Sequence, residues 1–170
     1  MPSSEGSSVR FRRVPASLRR TDIERFARRL QKEVCRGRTF DALVTGDAEL
    51  RRLNRDFRGQ DYATDVLSFP AACQQTLPNG RGSDGSRAEP RPTGRGCFLG
   101  DIAVSLGRAR AQAREFGHPI EHEIQILMLH GVLHLCGHDH EADSGAMARA
   151  EKRWRVKLGL PNGLIERVRS

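Results

Sequence analysis

Aromatic side chains, long apolar runs and signal-peptide features are scarce in this sequence. Its 170 residues include seven Phe, one Trp and one Tyr, so we expect a core built mainly from Leu, Ile, Val and Ala. No run of eighteen apolar residues occurs, and the first residues, MPSSEGSSVRFRRV, are polar and then basic. A membrane-spanning helix needs about 20 apolar residues, and a signal peptide needs an apolar segment. We therefore expect a cytoplasmic protein that has no membrane partner.

Cysteines are few, and they lie far apart in the chain, at Cys35, Cys73, Cys97 and Cys136. Because no C-x-x-C pair occurs, this spacing argues against a disulfide framework and against a zinc ribbon. We expect reduced thiols that behave mostly as small buried apolar side chains.

Acidic residues are outnumbered in the first third of the chain. The net charge is +8, and residues 1–60 alone hold 15 Lys and Arg against 8 Asp and Glu. Such a basic surface raises the local concentration of a polyanion such as RNA. A solvated arginine-rich face without a binding role explains the same charge, so charge alone does not identify a partner.

Hydrophobic alternation and turn residues predict four strands. They are VRFRRV (9–14), FDALVTG (40–46), VLSFP (66–70) and CFLGDIAVS (97–105). Gly100 lies inside the fourth strand, which indicates a bulge or the close approach of another part of the chain. Residues 71–97 are rich in Gly, Pro, Ser and Arg, and we expect them to form an insertion loop that is mostly mobile.

Two helices are predicted in the first sixty residues. The first spans about residues 21–36 and begins with a capping box, in which Thr21 is the N-cap and Glu24 is the third helical residue. The second is short and begins after the strand at 40–46, with Asp47 as its cap. Its apolar positions are Leu50, Leu53 and Phe57.

Three further helices are expected at about 105–116, from Pro119 as first helical residue to a stop at Gly137, and at about 143–158. The middle one is apolar on nearly all sides after Glu123, so we expect it to be the central buried helix. Strands and helices are mixed and no repeats occur. We therefore predict an α+β fold, with one mixed β-sheet, helices packed on it and a buried central helix. A single domain over residues 1–170 is expected, with its core at about 9–160.

The central helix carries a histidine motif. His130 and His134 are four residues apart, so their rings project from one helical face and can share a metal ion. Gly137 is expected to turn the chain and bring His140 to the same ion, and the resulting spacing, H-x-x-x-H-x-x-G-x-x-H, is that of a three-histidine site with an open coordination position. Three imidazoles suit zinc, although copper, nickel and iron accept the same ligands.

Two neighbours of the motif leave alternatives open. His138 competes with His140 as third ligand, because a continued helix would place it at +8 from His130, near the same face. We favour His140, since Gly137 interrupts that continuation. Asp139 is expected either to orient a ligand imidazole or to cap the final helix.

The residue after the first histidine departs from the protease pattern. Zinc peptidases of this spacing have Glu at that position as the general base, and here the position is Gly131. Hydrolysis of a phosphodiester depends less on a dedicated carboxylate, because a metal ion supplies the nucleophile and Arg or Lys stabilises charge on the phosphate.

Three segments of the chain are HGVLHLCGHDH (130–140), LNRDFRGQDYATDVLSFP (53–70) and LGDIAVS (99–105). Together they closely resemble the YbeY family of bacterial metal-dependent endoribonucleases. That family acts in ribosomal RNA maturation and ribosome quality control. The segments occur in the family's order, and by organisation the likeness extends from about residue 40 to 158.

The resemblance implies one zinc ion per chain, held by His130, His134 and His140. The family's arginine in its F/Y-R-G segment matches Arg58, which would face the RNA phosphate as the catalytic arginine. Other matching positions are expected to shape the cleft rather than perform chemistry: Asn54, Thr64, Asp65, Ser68 and Asp101. Two features depart from the family, namely the long 71–97 insertion and His138, which replaces the usual Tyr.

We therefore expect a zinc-dependent endoribonuclease that cleaves single-stranded RNA, including the 3′ end of small-subunit ribosomal RNA. Its expected partners are ribosomal RNA and the small ribosomal subunit or its associated factors. Two other functions stay open. A metallopeptidase fits the ligand spacing but lacks the glutamate. A non-catalytic ribosome-assembly factor would use zinc for structure and its basic face for binding.

Overall fold

The computed structural model describes residues 6–71, 98–138 and 145–161, and these ranges form four strands and five helices. The strands are β1 (Ser8–Phe11), β2 (Thr39–Thr45), β3 (Val66–Pro70) and β4 (Phe98–Ser105). The helices are α1 (Arg20–Glu33), α2 (Asp47–Arg58), α3 (Leu106–Phe116), α4 (Ile120–Leu135) and α5 (Ala146–Leu158). The four predicted strands and five predicted helices are confirmed, with ends that move by a few residues. Most of the expected insertion, from residue 72 to 97, lies outside the described residues.

The four strands form one mixed sheet in the order β1-β2-β4-β3. β2 runs parallel to β1 on one side and to β4 on the other, whereas β3 is antiparallel to β4. Parallel neighbours require crossover connections, and α1 links β1 to β2 in this way. The predicted α+β class with one mixed sheet is confirmed. Within the described residues, no helix is long and apolar enough to span a bilayer.

Gly100 allows β3 and β4 to approach each other closely. Its φ is +136°, and a Cβ built at this position would lie 2.1 Å from the Phe69 carbonyl oxygen on β3. The pairing of β2 with β4 also shifts by one residue here, between Thr39 and Asp41. Both alternatives predicted for Gly100, a bulge and a close approach, therefore occur at the same place.

Helix α4 lies at the centre of the molecule, as its apolar sequence predicts. It contacts α1, α3 and α5 and also packs on β3 and β4. Its buried side chains include Ile124, Leu127, Met128 and Leu129. Because most of α4 is buried, a polar side chain at one of its buried positions needs a partner inside the protein.

The predicted capping box at the start of α1 is wrong. The N-cap is Arg19, and no side chain caps the helix from within. The Arg19 backbone N–H donates instead to Glu121 Oε1 of α4, at 3.0 Å. A tertiary partner therefore replaces the local cap, because Glu121 is held nearby by the packing of α4 against α1.

The predicted role of Asp47 as a cap of α2 is also wrong. Gly46 is the N-cap, and Asp47 is the first residue of the helix. The Asp47 carboxylate accepts a hydrogen bond from the Ser105 hydroxyl. Ser105 caps α3, since its Oγ accepts from the Arg108 backbone N–H at 3.0 Å. Pro119 similarly precedes α4 as its N-cap rather than occupying the first helical position.

Candidate functional site

Two of the predicted metal ligands meet at the C-terminal end of α4. The Nε2 atoms of His130 and His134 are 3.2 Å apart, and their rings are 4.8 Å apart at an interplanar angle of 74°. His130 is only 6% exposed, and both rings line the same cleft. The i, i+4 spacing thus brings the two imidazoles together as predicted.

A buried glutamate fixes the orientation of His130. The Nδ1 atom of His130 lies 2.8 Å from Glu151 Oε2, and Glu151, on α5, is 1% exposed. A carboxylate accepts, so Nδ1–H donates to it, and the lone pair of the neutral ring is then on Nε2. This carboxylate–histidine arrangement is typical of metal-binding imidazoles.

The separation of the two Nε2 atoms fits a tetrahedral ion. Nitrogen ligands at the usual zinc distance of about 2.0–2.1 Å lie about 3.3 Å from one another in tetrahedral geometry. The observed 3.2 Å agrees with that separation. The distance between the two Nε2 atoms is therefore compatible with a shared tetrahedral ion. Asp139 and His140 lie outside the described residues, and no cluster of three or more potential ligands occurs within them.

Gly137 ends α4 in the predicted way. It has φ +95°, its N–H donates to the His134 carbonyl at 3.0 Å, and the His138 N–H donates to the Leu133 carbonyl at 3.1 Å. These two bonds form a Schellman motif, which closes the last turn of a helix. His138 consequently does not continue the helical face of His130, although it lines the same cleft. The assignment of His140 as third ligand stays a prediction.

The histidines lie in a cleft between α4, the end of α2 and the β3–β4 pair. Its volume is about 1420 Å³, which exceeds the 300–1,000 Å³ that is typical of small-molecule sites. Arg58, Thr64, Asp65, Ser68 and Asp101 also line it. Five of the site residues predicted in the 53–70 and 99–105 segments therefore share the cleft with His130 and His134.

Arg58 lines the cleft and is open to an anion. It is exposed at the last position of α2. Three other arginines of this helix are paired with carboxylates: Arg51 with Asp61, Arg52 with Glu49 and Asp56, and Arg55 with Asp56. Arg58 forms no ion pair with any carboxylate of the described residues. Its guanidinium is therefore available to a ligand.

The sheet leaves little space for a side chain at position 131. A Cβ there would lie 3.1 Å from Ile102 Cγ2 and 3.2 Å from Val66 Cγ2. The Ser68 hydroxyl donates to the Gly131 carbonyl at 3.0 Å, which holds α4 against β3. A glutamate side chain does not fit at this position unless the helix and the sheet move apart.

Thr64 and Asp65 hold the loop that precedes β3. Thr64 Oγ1 donates to Asp65 Oδ1 at 3.2 Å, and the Val66 N–H donates to the same oxygen. The other carboxylate oxygen of Asp65 accepts from Gln112 of α3 at 3.2 Å. This carboxylate is therefore occupied in fixing the wall of the cleft.

Asn54 does not line the cleft. It is 1% exposed, and its Nδ2 donates to the Tyr62 carbonyl at 2.9 Å. The side chain thus ties α2 to the loop that carries Tyr62, and it shapes the cleft from behind.

Asp101 is the carboxylate of the cleft with a perturbed pKa. Burial raises the pKa of Asp101, the neighbouring Asp41 raises it further, and Arg10 opposes both. Since Arg10 also lines the cleft, this end of the site combines a weakened acid with a cation.

Sequence periodicity does not single out Glu151. The signal that marks it is its place on the apolar face of α5, four residues after Met147 and seven before Leu158. A carboxylate on an apolar face needs a buried partner, and His130 is that partner.

Comparisons with known proteins find matches over most of the chain. The family model described as endoribonuclease YbeY matches residues 13–159. The chain is 68% identical to the endoribonuclease YbeY of Solibacter usitatus over 170 residues, which cover all of both chains. It is 48% identical over 126 residues to that of Koribacter versatilis, covering 74% of this chain and 68% of the relative. The solution structure of TM1509 from Thermotoga maritima superposes with a TM-score of 0.50 at 26% identity and covers 86% of this chain and 85% of that one.

Proposed function

Because this chain belongs to the YbeY family of endoribonucleases, we propose that it is a zinc-dependent endoribonuclease that cleaves single-stranded RNA during ribosomal RNA maturation in the cytoplasm. The observation that carries the proposal is one cleft, in which the Glu151-oriented His130 and its neighbour His134 lie together with Arg58, which forms no ion pair within the described residues. Its partners would be ribosomal RNA and the small ribosomal subunit or factors bound to it.

The metal requirement of the proposal rests on three histidines. His130 and His134 would hold the ion with Nε2, and His140 is the proposed third ligand. When bound, zinc supplies Lewis-acid chemistry, because it lowers the pKa of water and offsets negative charge on a phosphate. The Glu151 carboxylate accepts the proton on Nδ1 of His130, so Nε2 would be the nitrogen that faces the ion.

Arg58 would bind the phosphate that is cleaved. Its planar guanidinium donates two parallel hydrogen bonds to the non-bridging oxygens of a phosphate. Charge develops on these oxygens during cleavage, so donors fixed in a cleft stabilise the transition state more than they do in water. Arg58 thus has the role of an electrostatic catalyst rather than of a proton donor.

A metallopeptidase is the less favoured activity. The general base of such enzymes would occupy position 131, where the structure has a glycine packed against Ile102, Val66 and Ser68. A non-catalytic assembly factor would use the same basic residues to bind RNA. Cleavage assays on RNA and on peptides distinguish a metallopeptidase and an assembly factor from a nuclease.

The test is a cleavage assay on a labelled single-stranded fragment of ribosomal RNA, a matched duplex and casein. We expect the wild type to cut only the single strand. Arg58→Ala should lower the rate at least about 100-fold and retain bound zinc. Arg55→Ala is the matched control, since Arg55 lies on the same helix but is paired with Asp56, and it should cut normally. Casein digestion would establish the peptidase, and zinc binding without cleavage of any RNA would establish the assembly factor.

A further inference from the structure

Two exposed aromatic side chains lie at the rim of the cleft. Phe57 is 68% exposed and Tyr62 is 56% exposed, and both line the cleft that contains the histidines. The spacing of Phe57 after Leu50 and Leu53 predicts a core position. Leu50 is indeed fully buried, whereas Phe57 is exposed.

Contacts with the protein hold both rings in place. Phe57 meets Phe69 of β3 in an edge-to-face arrangement, with ring centroids 5.3 Å apart. The Tyr62 hydroxyl donates to Gln60 Oε1 at 2.5 Å, and the Tyr62 carbonyl accepts from the buried Asn54. An aromatic ring that is fixed and exposed binds a flat partner at little entropic cost.

The positive charge of Arg58 in the same cleft suits the phosphate of a nucleotide. Arg58 lines the same cleft as Phe57 and Tyr62 and forms no ion pair within the described residues, so a cation for a phosphate and a surface for a base share one cleft. Proteins that bind single-stranded nucleic acid combine these two features, because every base has a face that stacks on an aromatic ring.

We propose that Phe57 and Tyr62 form a stacking subsite for an unpaired nucleobase of RNA whose backbone phosphate lies at Arg58. This inference rests on the proposed function and deepens it. Bases in a duplex are stacked on one another and are not free to enter the subsite, so single-strand preference follows from it. Stacking tolerates any base, and therefore the subsite positions RNA without reading its sequence.

The experiment measures binding of a short single-stranded RNA that contains one 2-aminopurine, whose fluorescence falls when the base stacks. It uses the full chain with His134→Ala, which does not cleave under the proposed function. Phe57→Ala in this background should weaken binding about 5- to 100-fold and abolish the fluorescence change. Phe57→Leu keeps an apolar contact with Phe69, but it should also weaken binding and abolish the fluorescence change. Phe57→Trp should retain both the affinity for RNA and the fluorescence change. Tyr62→Ala should weaken binding in the same direction.

Two controls isolate stacking. Phe116→Ala removes a phenylalanine of α3 that is 45% exposed and does not line the cleft, and it should leave binding unchanged. An RNA with an abasic site in place of 2-aminopurine should bind the parent protein and its Phe57→Ala variant equally, because the ring has no base to meet.

Either of two results would contradict the stacking subsite. The first is an RNA affinity of Phe57→Leu that stays within twofold of the parent. The second is a loss of affinity in Phe57→Leu that is equally large for intact and for abasic RNA. The first is also the result expected if the rings served a protein partner. Failure of the subsite is distinct from failure of the nuclease. Normal stacking without cleavage by the wild type contradicts only the proposed activity, and normal cleavage with an unchanged KM in Phe57→Leu contradicts only the subsite.

Discussion

At the scale of single residues, the proposed site depends on a carboxylate that orients a proposed metal ligand. Glu151 accepts the Nδ1 proton of His130 at 2.8 Å and is buried with it. The negative charge makes the ring a better donor to a cation, and the fixed geometry keeps Nε2 directed at the cleft. Glu151 is therefore a positioning residue.

Glu151→Gln should weaken zinc binding about 10- to 100-fold, because the amide keeps the shape of the side chain and loses its charge. The measurement is a competition titration with a zinc-binding dye, with circular dichroism to verify the fold. Glu115→Gln, an exposed and unpaired position on α3 within the described residues, should bind zinc as tightly as the wild type. Equal zinc affinity of Glu151→Gln and wild type would exclude the positioning role.

The sequence predicts the pairing of His130 with His134 because four residues on a helix are one turn apart, which is a local relation. It does not predict the contact with Glu151, since two helices must first pack together. The pairing of Arg52 with Glu49 and Asp56 is local in the same way as the histidine pair, because these residues are three and four positions apart on α2. The pairing of Arg51 with Asp61 is not, since Asp61 lies beyond the end of α2.

At the scale of elements, the β3–β4 pair that forms one wall of the cleft depends on Gly100. Gly100→Ala should lower the free energy of unfolding by about 2–4 kcal/mol, because the new Cβ would lie 2.1 Å from the Phe69 carbonyl oxygen. Urea unfolding measures the effect. Gly117→Ala is the control for positive φ alone, since its φ is +69° and its surroundings are open. It should cost about 1 kcal/mol, and a cost for Gly100→Ala no greater than this would contradict the close approach.

The junction of α1 with α4 should depend on pH through Glu121. Burial acts to raise the pKa of Glu121, but the hydrogen bond from the Arg19 N–H and the nearby guanidinium outweigh it, and the net pKa is lowered from 4.5. A carboxyl with a lowered folded pKa stabilises the protein above its unfolded pKa, and this contribution disappears as pH falls through the folded pKa.

Glu121→Gln should therefore lower the free energy of unfolding by about 1 kcal/mol at pH 7 and by progressively less below pH about 4. Urea unfolding at several pH values gives the comparison, with the exposed Glu115→Gln as control. A difference between Glu121→Gln and wild type that stays constant down to pH about 3, or grows on acidification, would contradict the account.

Element positions follow from the sequence more reliably than helix caps do. Apolar periodicity places α4 and the Schellman end at Gly137 because both are determined by neighbours in the chain. The expected caps at Thr21 and Asp47 fail because tertiary partners compete with local ones. The Arg19 N–H bonds to Glu121, and the Asp47 carboxylate bonds to Ser105.

At the scale of the whole molecule, the sheet order brings distant segments into one cleft. β4 lies between β2 and β3, so the 99–105 segment adjoins the 53–70 segment, and α4 packs across both. Composition and alternation predict the α+β class, but they do not predict this order, which depends on crossovers between strands. The basic N-terminal part includes β1, α1 and α2, and it brings Arg10 and Arg58 to the same cleft as the histidines.

The central claim is that RNA cleavage requires a metal held by the histidines of α4. The most direct measurement uses one preparation of the wild type, in which zinc content and cleavage of single-stranded ribosomal RNA are determined as purified, after chelation and after zinc is returned. His134→Ala is measured alongside. The account predicts one zinc per chain, loss of cleavage with the metal, recovery on its return, and neither zinc nor cleavage in His134→Ala. Undiminished cleavage by the metal-free protein would contradict it.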